Sequence, residues 1–161
     1  MRVMSTVTKT LYDIDFVEWA AKTAELLRQG RLDEVDLENV AEEIESLGKS
    51  DRRAAASQLL RMLMHLIKQR IQPERAGTSW RTSIINARLE MDLLFKDSPS
   101  LRRYFESTLD ETYREAVRQA LDETNLKSRS KELDIPEKCP YTLDELLGAD
   151  LDTLRRGRTE P

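Results

Sequence analysis

Apolar residues recur along most of this chain at spacings of three and four, the period of helices that bury one face. The first such stretch is Phe16, Trp19, Ala20, Thr23, Leu26 and Leu27, and Gly30 supplies a left-handed stop behind it. Asp36 is placed to accept from the free amides of a second helix, with the stripe Leu37, Val40, Ala41, Ile44 and Leu47. Gly48 is expected to end it. Ser50 then opens a third helix that reaches about Ile71, ahead of Pro73. Thr78 or Ser79 can cap a fourth, which carries Trp80, Ile84, Ala87, Met91, Leu94 and Phe95. Ser98-Pro99, a capping hydroxyl followed by proline, starts a fifth through Leu101, Phe105, Leu109, Tyr113, Ala116, Ala120 and Leu121. Thr142 can cap a short last helix ending near Leu147.

No stretch alternates apolar and polar residues with β-branched enrichment, so the expected fold class is all-α. The architecture expected is a single-domain bundle of about five main helices plus a short C-terminal helix, covering residues 11–147. Residues 1–10 read as a flexible arm and residues 148–161 as a tail. The first, third, fourth and fifth helices are expected to form the core, with Trp19 and Trp80 both mostly buried at helix interfaces.

Composition narrows the function classes. The 161 residues are 35% charged and 39% apolar, and no run approaches the about 18 apolar residues of a membrane span. The N-terminus lacks a signal-peptide core, and a lone Cys139 suits a reducing compartment, so a cytoplasmic protein is expected. One Cys and one His cannot build a zinc site, and no metal or other cofactor is expected.

The net charge of −4 conceals a segregation. Asp13 to Gly48 holds eleven acids and three bases, net −8, whereas Lys49 to Arg88 holds nine bases and two acids, net +7. Pairing between the two stretches is the simpler explanation, and a phosphate-binding surface the sharper one.

Within the third helix, His65, Gln58, Arg61, Lys68, Gln69 and Gln72 share one narrow polar stripe at 100° per residue. Ala56, Leu59, Leu60, Leu63, Leu66 and Ile67 occupy the broad opposite side. His65 is the one side chain that ordinarily titrates near neutrality, and cationic neighbours favour its neutral form, which suits a general acid or base. Glu42 and Glu43 on the second helix, and Lys68, Trp80 and Arg81, could converge on it if the second, third and fourth helices are neighbours. Then His65 and Glu43 would be catalytic, and Glu42, Lys68, Trp80 and Arg81 would bind an anion. A di-iron Glu-x-x-His motif is excluded by Met62, three residues before His65, and there is no glycine-rich phosphate loop.

Several blocks also resemble a known family. They are Leu11-Tyr12-Asp13 with Asp15-Phe16 and Trp19, the run Asp36 to Gly48, and Leu63-Met64-His65-Leu66-Ile67-Lys68. Gln72-Pro73, Ser79-Trp80-Arg81, Ser98-Pro99-Ser100-Leu101 and Cys139-Pro140-Tyr141-Thr142 continue the series. Together the chain resembles bacterial domain-of-unknown-function family twenty-nine over about Leu11 to Leu147. That resemblance implies a small, mainly helical protein and carries no activity with it. Arg70-Ile71 departs from the family's pattern, in which an aromatic often stands near the lysine.

Three functions stand at this point. The first is a non-catalytic interaction or regulatory module, using amphipathic helices to meet a protein partner or a second copy. The second is a hydrolase- or nuclease-like enzyme acting on a phosphate-bearing substrate at a His65-centred cleft. The third, not favoured in an acidic chain, is nucleic-acid binding through Lys49 to Arg88. No membrane partner is expected.

Overall fold

The computed structural model describes residues 9–156. Its helices are α1 (Leu11–Ile14), α2 (Phe16–Arg28), α3 (Leu37–Ile71), α4 (Thr78–Asp97), α5 (Pro99–Glu123), α6 (Leu143–Gly148) and α7 (Leu151–Arg156), with three short 3-10 turns between them. No strand occurs among the described residues, so the fold is all-α. No helix there is long and apolar enough to cross a membrane. The chain divides into two compact units, one ending at Lys49 and one starting at Ser50.

The expected second and third helices are one helix, the 35-residue α3. A glycine ends a helix when it turns left-handed and lets the next amides fold back. Gly30 does so at φ +72°: its N–H donates to the Leu27 carbonyl at 3.1 Å and that of Arg31 to Leu26 at 3.0 Å. Gly48 has no positive φ, and the helix formers that follow it carry the ladder onward, at the ~1 kcal/mol that an interior glycine costs.

The first unit is thinly packed. Asp15 caps α2 by accepting from Glu18 N–H at 2.9 Å, and Asp36 accepts from Asn39 N–H at 3.2 Å. Thr10 caps α1, both its N–H and its hydroxyl donating to Asp13, so the expected arm already has a structural role at its end; residues 1–8 lie outside the described residues. Trp19 is buried, with the Tyr12 ring set edge-on at 4.8 Å. Only Trp19 and Thr23 are buried on α2, and neither belongs to the main core.

That core lies in the second unit. Leu59, Met62, Leu63, Leu66 and Ile67 on α3 share one buried cluster with Ile84, Ala87, Met91 and Phe95 on α4 and with Leu101, Phe105, Tyr113, Ala116 and Ala120 on α5. The C-terminal helices contribute where the first helix was expected to. Leu143 and Leu146 of α6 and Leu151 and Leu154 of α7 are buried, and Tyr141 Oη donates to the Leu154 carbonyl at 3.0 Å. Residues 151–156, expected as tail, are therefore part of the bundle, while 157–161 lie outside the described residues. Thr142 caps α6 as expected, in a reciprocal box with Glu145. At α4 the expectation fails: Gly77 is the N-cap, Thr78 and Ser79 are already helical, and no side chain caps the end. Trp80 is partly exposed and its ring lies beside His65 of α3, in keeping with a mostly buried place between helices.

Candidate functional site

His65 sits on α3 one turn before Gln69, and its ring centroid lies 6.2 Å from that of Trp80 on α4. Its Nδ1 is sealed from solvent with no hydrogen-bond partner among the described residues. Burial is the main force pushing its pKa below the usual imidazole value, and the Lys68 and Arg61 charges act the same way. Glu123 pulls it back in part. The imidazole is therefore neutral at pH 7, on account of desolvation more than of the cationic neighbours that the sequence pointed to.

Several of the candidate residues around it are engaged with other partners. Lys68 is buried, and its ammonium is paired with Glu123 of α5, 55 positions away. Arg81 pairs with Asp152 of α7 at 3.5 Å. Glu42 and Glu43 belong to the first unit, earlier on the same α3, so they do not stand on a helix packed beside His65. Within that unit Glu43 accepts from Tyr12 Oη at 2.5 Å, which pushes the phenol pKa up to about 12. Glu42 is exposed. Of the six candidates, then, the structure brings together His65, Trp80 and Lys68, with Arg81 one residue beyond Trp80 and engaged elsewhere.

Other bases of the Lys49 to Arg88 stretch are also engaged. The Arg52 guanidinium stacks over the Tyr104 ring at 4.8 Å. Arg70 donates to the Asp134 carbonyl at 2.6 Å and to its carboxylate at 2.8 Å. Arg88 donates to the Leu146 carbonyl at 2.9 Å. Positive charge held in these ways ties helices and loops together inside the second unit. No group of three His, Cys, Asp or Glu among the described residues is arranged to hold a metal ion.

Two features escaped the sequence. One is a groove of about 420 Å³ between α3 and α5, walled by Arg52, Arg53, Leu60, Tyr104 and Phe105. The other is a cavity of about 260 Å³ at the start of α4, lined by Gln69, Gly77, Thr78, Arg81, Asp152 and Arg155. Gln69 was legible as a member of the His65 stripe, but Asp152 and Arg155 lie on a helix that was not foreseen.

No curated protein and no solved structure matches this chain. The model of one family, described as Domain of unknown function DUF29, matches residues 11–151. That match takes in both units and nearly all the described helices, so the chain belongs to the DUF29 family.

Proposed function

We propose that this protein is a non-catalytic interaction module, that its first unit is the docking surface, and that the occupant is a second copy of the chain. One observation carries the reading. Of twelve large apolar side chains exposed among the described residues, eight lie before residue 50: Ile14, Phe16, Val17, Leu27, Leu32, Leu37, Ile44 and Leu47. Exposed apolar side chains concentrated in one unit point to an association site. Leu37, Val40, Ile44 and Leu47 are spaced three and four apart, the seam that a partner helix packs against. The charge favours a basic partner, since Asp13 to Gly48 carries −8, and the chain itself offers the exposed Arg53, Arg61 and Arg75, which form no ion pair among the described residues. Ile85, Leu89 and Leu93 form an exposed apolar stripe on α4, beginning within the basic Lys49 to Arg88 stretch. Two copies exchanging such contacts close as a two-fold dimer.

Sedimentation equilibrium tests this. The protein is expected to be a dimer at micromolar concentration, to dissociate more readily as salt rises, and to become monomeric with Ile44→Glu and Leu47→Glu together, at unchanged helix content. A single-chain mass at every concentration, or a double variant that still dimerises, overturns the proposal.

A second reading, acid–base chemistry on a phosphate-bearing substrate, draws support from the sealed, unpartnered Nδ1 of His65 beside Trp80. Lys68, the nearest cation on the stripe, is held by Glu123, which leaves Arg61 to fix a substrate there.

A further inference from the structure

We infer that the cavity at the start of α4 is a binding site for a phosphate group, free or carried by a small phosphomonoester. It lies wholly within the second unit and depends on neither the docking surface nor chemistry at His65.

The first four N–H groups of a helix have no partner within it, and together with the backbone dipole they make its start electropositive. Most helices satisfy one of these donors with a capping side chain. In α4 the N-cap is Gly77, which has no side chain to offer, and Thr78 and Ser79 are already helical. This 20-residue helix begins with no side-chain cap, and Gly77 and Thr78 line the cavity.

Gln69 is the independent observation. Only 8% of it is exposed, yet its carboxamide has no hydrogen-bond partner among the described residues. Gln58 Oε1 is sealed from solvent, whereas the Gln69 carboxamide is not, and Gln69 lines the cavity. A carboxamide N–H there is a further donor for an anion.

Charge completes the site. Arg155 has no ion-pair partner among the described residues, and Arg81 has one, Asp152 at 3.5 Å with both side chains more than half exposed. Arg81 and Arg155 against Asp152 leave one positive charge, to which the helix start adds about half a charge. A volume of about 260 Å³ is below the ~300–1,000 Å³ of sites for larger ligands, and it suits a compact oxoanion. Backbone amides, two guanidiniums and a neutral amide are a donor set that phosphate, with oxygens in several directions, can satisfy together.

Calorimetric titration of the full chain with inorganic phosphate, and separately with glycerol 3-phosphate, tests the assignment. One saturable site is expected in at least one arm, and the tighter arm identifies the source. The bound form is expected to unfold at a higher temperature. Arg155→Gln, at an exposed position, is expected to weaken binding by about tenfold at constant ionic strength. Gln69→Leu is expected to weaken binding while keeping the fold, and Asp152→Asn to tighten it by removing the carboxylate that competes for Arg81. No saturable binding in either arm, an Arg155→Gln variant that binds as the parent does, or weaker binding by Asp152→Asn overturns the inference.

Discussion

His65 shows how far a single residue can be read. Its place on a narrow polar stripe of an otherwise apolar helix follows from the 100° step between residues. What the stripe meets does not. Lys68 turns to Glu123 on α5, Gln69 is buried beside a cavity, and the His65 Nδ1 is closed off without a partner. A buried polar atom without a partner is a cost to the fold, so an apolar side chain of similar size should relieve it. His65→Leu is expected to stabilise the protein by about 1 kcal/mol, read as a higher midpoint in urea at unchanged slope. A lower midpoint would mean that Nδ1 is held by a water molecule or a ligand. A histidine kept at a cost to stability is what the acid–base reading requires.

At the scale of elements, the helix stops separate cleanly. Gly30 and Asn125 both take positive φ and close their helices through the same pair of folded-back bonds, with Asn125 N–H donating to Asp122 and Leu126 N–H to Leu121. Gly48 has neither feature and lies inside α3 with nothing within 4 Å of the position a Cβ would occupy. Gly48→Ala is therefore expected to stabilise the protein by about 0.5–1 kcal/mol, measured by chemical denaturation, because it restrains the unfolded chain without a clash. Destabilisation would show that the backbone at Gly48 leaves the helical region in solution.

For the whole molecule, the second unit's core sets the response to alkali. Burial pushes the Cys139 thiol up to about 11, and it raises the Tyr141 and Tyr113 phenols as well. Each raised pKa means that the folded state favours the protonated form. The contribution of Cys139 is complete below pH 9.0, its ordinary value, and is lost as the pH climbs to about 11, where the folded form also ionises. Stability measured against pH is expected to fall across that window, and Cys139→Ala is expected to make the decline shallower by about 2 kcal/mol. An equal slope in the variant would assign the alkaline loss to the tyrosines alone.

Local physics was enough for the helical class, for the stops at Gly30 and before Pro73, for the Asp36 and Thr142 caps and for the buried arc of α3. Each depends on residues within a turn or two of one another. The resemblance carried by the blocks from Leu11 to Thr142 also led to the family that residues 11–151 match. Tertiary structure alone decided which charges are spent. The partners of Lys68, Arg70 and Arg81 lie on other elements, and sequence spacing contains no information about a neighbour 55 or 64 positions away. It also decided that Gly48 is passed over and that Leu151 and Leu154 join the core, since burial against the bundle gives a short helix the stability its own few hydrogen bonds cannot. The cavity at the start of α4 exists for the same reason: α3, α4 and α7 meet there, and no one of them encodes it.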